Sequence, residues 1–409
     1  MSTAVFQVPA ALAELRATAS HRLRALLWAL LLIGVLTACV LWLTDHQRLW
    51  YDYLANFLFF TGLAQNGVVW SAVTRGCNGR WARPLQRLAE ALAGALPLSV
   101  LLFIPLMFAR RTIYPWWDHP PARKLPWLGH AFLLGRDFAI LAGLAALSLY
   151  YLHVSTKPDR AGDPGGLTAH GSPLAEWSQR RLGRLWVLVV FAYCYLWSIL
   201  GLDLNVALNI HWYDYIYGWY FFIANWYGGL ALVSILAVAW RRRLRAQAVI
   251  TIDILHDNAE ATFAFCIFWA YLFWTQFMVL WYANRQDDIR VLIRLSQEHP
   301  WVTLSWITLA LGFFLPFAFG LSRSWKRRPA TLVYIASLSL AGLWLAENLM
   351  VDVSLWHRGF PPLITSALLG CGFVGAYGLA YLWVLGRVPA FPVRDPLLHE
   401  ALVWHPARH

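Results

Sequence analysis

The chain has 409 residues, of which 59% are hydrophobic and only 13% are charged. A soluble domain carries about a quarter charged residues, so this composition excludes an ordinary soluble protein. The formal net charge is +12, but the basic residues stand in clusters between long apolar runs, which argues against a nucleic-acid partner. We therefore predict an all-α integral membrane protein that forms a single polytopic domain over residues 1–409 and is surrounded by lipids.

Apolar runs of about 20 residues, each long enough to cross a hydrocarbon core of about 30 Å, recur along the whole chain. Ten transmembrane helices are predicted, at residues 24–44, 53–74, 88–109, 128–152, 185–202, 215–239, 258–283, 301–321, 330–351 and 362–386. The connections after spans two, four, six and eight are rich in Arg and Lys, as cytoplasmic loops are, so both termini are predicted to be cytoplasmic. The Gly-, Pro- and Ser-containing stretch 154–183 is predicted to be a long cytoplasmic loop.

The seventh span opens with carboxylates. On a helix, Asp253, Asp257 and Glu260 share one face, and Tyr271 and Thr275 continue that face deeper into the span. Ionisable groups on a spanning helix tend to face the bundle interior or a water-filled cavity, so this stripe is predicted to open a proton-conducting half channel. The alternative is that the carboxylates lie just outside the hydrocarbon and only favour the positive end of the helix dipole.

A second polar cluster is predicted on the periplasmic side. Its members are Arg136, Asp137, Asp203, His211, Glu347 and Asp352. Adjacent residues on a helix point apart, so Arg136 is expected to pair with a carboxylate of another helix rather than with Asp137. Such a pair is either a structural clamp between bundles or one side of a quinone site, where a carboxylate takes a hydroxyl proton. His211 is either a proton relay at that surface or a residue of the aromatic belt.

The spacing of cysteine and histidine argues against a metal or haem bound by this chain alone. The five cysteines lie far apart without a C-x-x-C pair, which excludes a conventional zinc or iron–sulfur site. The candidate haem ligands His130, His153, His211 and His256 stand one to a span or loop, near the ends. No Ser/His/Asp arrangement is apparent. We predict no catalytic residue and no metal ligand.

Six stretches resemble, in order, a known family. They are "WARPLQRLAEALAGALPLSVLLFIPL", "RRTIYPWWDHP", "FLLGRDF", "GLDLNVALNIHWYDYIYGWYFF", "HDNAEATFAFCIFWAYLFWTQFMVLWYANRQDD" and "FFLPFAFGLSRSWKRRPATL". Together they look like the ActF type of NrfD-like membrane subunit of bacterial alternative complex III, over roughly residues 50–355. The chain departs from the family's D-L-G-K pattern at the head of span seven, where it has Asp257-Asn258-Ala259-Glu260.

The resemblance implies a pair of four-helix bundles, residues 53–202 and 215–351, in the bacterial cytoplasmic (inner) membrane. It also implies a subunit of a quinol:cytochrome c (electron-acceptor) oxidoreductase that contributes quinone-side packing and proton-conducting half channels. A quinone or quinol is then a possible ligand. Haem and iron–sulfur clusters are expected in partner subunits, namely another NrfD-like subunit, an iron–sulfur/molybdopterin-like subunit and c-type cytochrome subunits.

Two alternatives stay open on the sequence. In the first, the chain is a structural scaffold of a respiratory complex, and its polar residues only join the bundles. In the second, it is a secondary transporter with a site at the bilayer midplane. Transporters of that kind favour broken helices. Few spans here are interrupted by Gly or Pro, so the transporter ranks last.

Overall fold

The computed structural model describes residues 17–120, 122–162 and 172–403, and this part of the chain is helical without any strand. Nine of its helical segments are long and apolar enough to cross a membrane. They are His21–Thr44, Arg80–Phe108, Ala122–Arg160, Pro173–Leu208, Tyr217–Arg243, Ile252–Ala283, Trp301–Gly320, Pro329–Leu355 and Leu363–Leu385. The prediction of an all-α, multi-pass membrane protein is confirmed at this level.

The α-helices are α1 (His21–Thr44), α2 (His46–Gly76), α3 (Gln86–Glu90), α4 (Leu96–Phe108), α5 (Arg110–Ile113), α6 (Leu125–Leu128), α7 (His130–Arg160), α8 (Pro173–Ala192), α9 (Ser198–Leu204), α10 (Tyr217–Arg243), α11 (Ile252–Ala283), α12 (Gln286–Gln297), α13 (Trp301–Leu309), α14 (Leu315–Gly320), α15 (Arg323–Lys326), α16 (Pro329–Leu355), α17 (Leu363–Leu385) and α18 (Pro396–Val403). Short 3-10 segments occur at Arg80–Leu85, Ala91–Ala95, Ala122–Lys124 and Val206–Leu208. Two π-helical turns, Tyr193–Trp197 and Ala310–Phe314, lie within longer helical segments.

The predicted second span, residues 53–74, lies in α2 and is absent from the nine apolar segments. With 31 residues, α2 is about 46 Å long, more than a membrane crossing needs. Its composition is too polar for lipid contact, but almost all of its side chains are buried. Helices α1, α7, α8, α10, α16 and α17 pack around it. The polarity of α2 is tolerated because protein, not lipid, surrounds it.

The outer helices expose large apolar side chains. Trp28 and Leu43 on α1, Phe108 on α4, Phe191 on α8 and Ile364 on α17 are all more than half exposed. A soluble monomer rarely exposes so much contiguous apolar surface, whereas a lipid-facing surface needs it. Many polar side chains therefore lie in the interior of the helix bundle, whereas apolar side chains lie both in the interior and on the outer surface.

Both ends of the described chain lie at the same end of the helix bundle. Arg243, at the end of α10, donates from Nε to the carbonyl of Thr18 at 3.1 Å. Asp395 lies 3.5 Å from a guanidinium nitrogen of Arg75, at the end of α2. Helices α2 and α10 both contact the first part of α11, so their ends lie side by side.

The predicted loop 154–183 is mostly helical where the structure describes it. Helix α7 continues to Arg160 and α8 begins at Pro173, while residues 163–171 lie outside the described part. The polar end of α7 stays helical because Ser155 and Asp159 are bound by Arg87 of α3 at 2.6 Å each. The composition of this stretch predicts a flexible loop, but one of its charged residues, Asp159, belongs to a buried ion pair.

Helices α1 and α17 cross at glycines. A Cβ atom on Gly372 would lie 2.9 Å from the Cα atom of Gly34, closer than real Cβ atoms approach. Two facing glycines therefore allow the backbones to touch, which is a common way for helices to pack in membranes. This contact holds α1, whose remaining surface is largely exposed, to the rest of the protein.

Replacing Gly372 with valine should separate α1 from α17. We expect Gly372→Val to lower the free energy of unfolding by about 1–3 kcal/mol, because neither backbone can move aside without losing contact. Gly143→Val is the matched control, since a Cβ atom at Gly143 meets nothing within 4 Å. Thermal unfolding of the two variants in detergent checks this, and equal losses would contradict it.

Candidate functional site

Buried polar side chains recur along the whole of α2. They are Arg48, Asp52, Asn56, Thr61, Gln65, Asn66, Ser71 and Arg75, each less than a tenth exposed. Successive members are never more than five residues apart, which is a rise of about 7.5 Å along the helix. A buried polar group is costly unless it is hydrogen-bonded, so the partners of these residues on other helices are part of the same structure.

The start of α2 carries a buried ion cluster. The guanidinium of Arg48 forms an ion pair with Asp52 one turn away and a second with Asp352 of α16, at 2.6 Å. The second oxygen of Asp52 accepts a hydrogen bond from Thr365 at 2.6 Å. The ring of Trp356 covers the guanidinium at 5.3 Å. One cation thus faces two carboxylates inside the bundle, away from water.

The middle of α2 is linked to α17 and to neighbouring helices by neutral groups. The Asn56 amide donates to the Ser366 hydroxyl at 2.9 Å and accepts from the Trp344 indole at 3.0 Å. One turn further, the Thr61 hydroxyl lies 2.9 Å from the hydroxyl of Tyr377. Gln65 donates to Ser148 of α7 at 3.0 Å. Hydroxyl and amide groups of this kind can both donate and accept hydrogen bonds.

The end of α2 meets a second ion cluster, centred on the fully buried Glu90 of α3. Its carboxylate accepts from Ser71 at 2.7 Å and from Gln86 at 2.8 Å, and it pairs with Arg87 at 2.6 Å. Arg87 also pairs with Asp159 of α7 at 2.6 Å. The two ends of α2 therefore share one arrangement, in which one guanidinium lies between two buried carboxylates.

The segment before α18 covers this second cluster. The Arg394 backbone N–H donates to Asp159 at 3.2 Å, and the carboxylate of Asp395 lies 3.5 Å from Arg75. Burial by itself raises the pKa of Asp395, but Arg83 and Arg75 outweigh it and hold the pKa below its usual range. Asp395 therefore stays ionised and neutralises guanidinium groups at the end of α2.

The Arg136 guanidinium forms two hydrogen bonds with one oxygen of Asp203, at 2.7 and 3.0 Å. The partner lies on α9, as the adjacency argument predicts. The other Asp203 oxygen accepts from the Trp127 indole at 2.9 Å, and the Trp127 ring lies 3.9 Å from the guanidinium carbon. Asp137 is fully buried, and its carboxyl group lies against that of Asp203.

The other predicted members of the periplasmic cluster lie elsewhere. Asp352 belongs to the Arg48 cluster, and Glu347 accepts from Asn205 at 3.3 Å. His211 is exposed, and only its backbone N–H bonds, to Asn209 at 3.1 Å. The structure therefore distributes these predicted residues over separate contacts, because residues at one depth of a bundle can lie on different helix faces.

The carboxylate stripe at the start of α11 makes ion pairs with the connection between α14 and α16. Asp253 pairs with Arg327 at 2.7 Å and Glu260 with Lys326 at 2.9 Å, and both carboxylates are about half exposed. Asp257 is partly buried between them. Its neighbour Asn258 turns inward and accepts from the Trp70 indole of α2 at 2.9 Å.

Deeper in α11, the predicted stripe leaves the bundle interior. Tyr271 is exposed on the outer surface, and the Thr275 hydroxyl donates to the Tyr271 carbonyl at 2.8 Å. The stripe predicted through these two residues therefore does not follow the bundle interior. On the inner face of α11, Asn258 contacts α2.

A large cavity of about 750 Å³ lies between α11, α12, α13 and α16. Its walls are mainly aromatic and apolar, and among the described residues that line it Asp214 alone is charged. That carboxylate caps the start of α10 by accepting from the backbone of Ile216 and Tyr217, at 2.9 and 3.0 Å, and it also accepts from Gln276 at 2.7 Å. No sequence pattern predicts this cavity.

Within the described residues, no group of three or more His, Cys, Asp or Glu is placed to hold a metal ion. Comparison with known proteins adds no identity: no family model matches the chain, and no curated protein matches it. The function proposed below therefore rests on the buried polar groups of α2 and their partners.

Arg48, Asp52 and Glu90, all buried, are not among the residues predicted from the sequence. The predicted second span begins at residue 53 and so leaves Arg48 and Asp52 outside, and Glu90 was treated as part of an apolar run. A signal was available, because Arg48, Asp52 and Asn56 are spaced four apart and so share one helix face. A polar face on an otherwise apolar helix indicates burial against other helices.

The Arg136–Asp203 pair can be tested by double substitution. Arg136→Leu leaves two buried carboxyls without a cation, so we expect a loss of about 3–5 kcal/mol in unfolding free energy. Adding Asp203→Leu should restore much of that loss, because the uncompensated charge is removed. Thermal unfolding in detergent measures both, and additive losses would contradict a direct pair. Arg180→Leu, which breaks the exposed pair with Glu176, is the control and should cost less than about 1 kcal/mol.

The Asp395 contact predicts a pH dependence. Because the folded pKa lies below the usual value, the carboxylate contributes stability above pH 4, and this is lost as the pH falls through the folded pKa. Asp395→Asn should therefore lower the unfolding free energy by about 3 kcal/mol at neutral pH. The difference from the unsubstituted protein should stay constant from about pH 7 to 5 and narrow only below about pH 4.

Thermal unfolding across that pH range measures the difference. Asp118→Asn, at an ion pair with Arg111 on the exposed surface, is the control and should change little at any pH. A difference that narrowed already between pH 7 and 5 would show that Asp395 has a raised pKa.

Proposed function

We propose that the chain is a proton-conducting subunit of a quinol-oxidising electron-transfer complex of the alternative complex III type. The observation that carries this proposal is the row of buried polar side chains along α2, with an ion cluster at each end. The resemblance of six sequence stretches to the NrfD-like subunits supports the same proposal. The setting is the bacterial inner membrane.

The proposed topology has ten crossings, with α2 as the tenth. Nine crossings would place the two chain ends on opposite sides of the membrane, whereas Thr18 and Asp395 lie at the same end of the bundle. Arg75, Arg241 and Lys157 also lie near that end, which favours the cytoplasm as its compartment. The two four-helix bundles, residues 53–202 and 215–351, would then share α2 and α10 as neighbours.

The proposed proton route follows α2 rather than α11. Each end cluster places two carboxylates inside the bundle, Asp52 with Asp352 at one end and Glu90 with Asp159 at the other, and these four groups are the proposed proton-exchanging sites. The hydroxyl and amide groups between them recur at intervals of no more than about 7.5 Å along α2, and the proposed route requires water molecules to bridge these intervals. Asp257, with Asp253 and Glu260 beside it, is the proposed cytoplasmic entrance, because Asn258 connects it to α2.

The redox chemistry is assigned to partner subunits. An iron–sulfur/molybdopterin-like subunit, c-type cytochromes and a second NrfD-like subunit would hold the clusters and haems, while this chain contributes no catalytic residue. In this arrangement the Arg136–Asp203 pair is a clamp between α7 and α9, since the guanidinium and both carboxylate oxygens are fully used by protein groups.

Amide substitutions test the proton route. Asp52→Asn and Glu90→Gln keep the side-chain shape but remove the ionisable group, so we expect proton transfer through this chain to slow by roughly 100-fold or more. Quinol-driven electron transfer should continue in liposomes, with a lower number of protons moved per electron. Glu176→Gln, on an exposed residue, is the matched control and should leave the ratio unchanged.

The same assay separates the alternatives. If α11 carried the protons by itself, Asp257→Asn with Glu260→Gln would lower the proton ratio while Glu90→Gln would not. If the chain were only a scaffold, Asp52→Asn and Glu90→Gln would lose assembly, seen as missing partner subunits after purification in mild detergent. A secondary transporter would purify without cytochromes, which a haem stain detects.

A further inference from the structure

The first half of α8 carries a basic outer surface. Arg180, Arg181 and Arg184 are all exposed, and their spacing of three or four residues places them on one side of the helix. Like charges at this spacing repel one another. Glu176 compensates Arg180 at 3.1 Å. Arg181 and Arg184 have no ion pair within the described part of the chain, so their charge is open to an external anion.

Helix α7 adds a cation to this surface. Lys157 is exposed, and its Nζ atom lies 4.3 Å from the ring centroid of Trp177 on α8. The guanidinium carbon of Arg181 lies 6.0 Å from the centroid of the same ring. Two cations from different helices therefore lie against one indole, which positions both by cation–π attraction. One anionic group can reach both helices at this point.

The basic surface ends where apolar surface begins. Leu188 and Phe191 follow Arg184 by one and two turns on the same side of α8, and both are more than half exposed. The rise from Arg184 to Leu188 is about 6 Å. The headgroup region on each side of the hydrocarbon core is roughly 5–8 Å thick. Arg184 therefore lies at headgroup level when Leu188 contacts the hydrocarbon.

The neighbouring helix has the same order of groups. Tyr150 lies two turns from Lys157 on one face of α7 and is partly exposed. The start of α8 lies beside the end of α2, because Gln179 accepts a hydrogen bond from Arg75. The basic surface therefore belongs to the end of the bundle that holds both ends of the described chain. The topology proposed above assigns that end to the cytoplasm.

We infer that Lys157, Trp177, Arg181 and Arg184 bind the phosphate of an anionic phospholipid whose acyl chains lie along α7 and α8. A guanidinium can bind phosphate oxygens in a bidentate manner, and Lys157 adds a point charge. The chains then contact Leu188, Phe191 and Tyr150. Basic clusters at the cytoplasmic ends of membrane helices attract anionic headgroups in this way. The site is separate from the proposed proton route and needs no electron transfer.

The charge of the surface favours an anionic lipid over a zwitterionic one. Phosphatidylcholine carries its own cation beside the phosphate and therefore leaves the excess positive charge of α7 and α8 uncompensated. A free phosphate ion would compensate the charge but would leave Leu188 and Phe191 to other molecules. A phospholipid supplies the anion and the apolar chains in the order in which the surface presents their partners.

Photo-crosslinking tests the inference on the full chain in phosphatidylcholine nanodiscs. The probe is phosphatidylglycerol that carries a diazirine near the start of one acyl chain, present as a small fraction of the lipid. We expect crosslinked peptides from residues 147–157 and 181–191. Unlabelled phosphatidylglycerol should displace the probe, whereas the same excess of phosphatidylcholine or inorganic phosphate should not.

Removing the two uncompensated arginines should weaken the site. We expect Arg181→Gln with Arg184→Gln to lower the crosslinking yield roughly 10- to 30-fold, because each basic residue near an anionic headgroup contributes a factor of about five. Arg242→Gln with Arg323→Gln is the matched control, since both arginines are exposed at the same end of the bundle. It removes the same charge and should change the yield by less than about twofold.

Trp177 provides a second pair of variants. Trp177→Phe keeps an aromatic ring for Lys157 and Arg181 and should largely keep the yield, whereas Trp177→Leu should lower it roughly threefold or more. Equal yields from these two variants would show that the ring does not position the cations. Equal yields from the two double arginine variants would show that net charge, rather than this surface, attracts the lipid.

The competition experiment separates the other occupants. Displacement by phosphatidylcholine to the same extent would overturn the inference in favour of an ordinary lipid contact. Displacement by inorganic phosphate would show a site for a free anion. Loss of the crosslinks when copurifying proteins are retained would assign the surface to a protein partner. None of these results depends on quinol oxidation, so the respiratory proposal and this inference can fail separately.

Discussion

A helix that carries ion pairs at both ends and amides in its middle can stand in a membrane only if other helices cover it on every side. Helix α2 has this composition, and the rest of the structure meets that condition. Arg48 pairs with α16, Asp52 with α17, and Ser71 with α3. Each of these bonds also fixes the position of a neighbouring helix. Burial of these polar groups is unfavourable unless they are bonded. Their bonds therefore select one arrangement of apolar helices that would otherwise pack with little selectivity.

The membrane class and the helix positions were predictable because both follow from local composition. A hydrocarbon core of about 30 Å requires about 20 apolar residues, and nine of the ten predicted spans coincide with the long apolar helices. The pairing of Arg136 with another helix was predictable for a similar reason, since neighbours on a helix point apart. These inferences use geometry within one helix and need no knowledge of how helices pack.

The remaining features depend on contacts between distant helices. Glu347, Asp352 and Arg136 are predicted at one side of the membrane, but each has a partner of its own: Asn205, Arg48 and Asp203. The cavity near Trp212 combines residues from the chain before α10 and from α11, α12, α13 and α16. Neither arrangement leaves a periodic mark in the sequence. Burial of Glu90 likewise depends on Ser71 and Ser155, which belong to separate helices.

The Arg48 cluster also sets an order of events during synthesis. Arg48 and Asp352 are separated by 304 residues, and Asp52 and Thr365 by 313. At a translation rate of 5–20 residues per second, α2 is made roughly 15–60 s before these partners emerge. During that interval its guanidinium has only the neighbouring carboxylate of Asp52. A nascent α2 therefore lacks these two partners when it is first made. The late helices, rather than α2 itself, determine when it becomes fully enclosed.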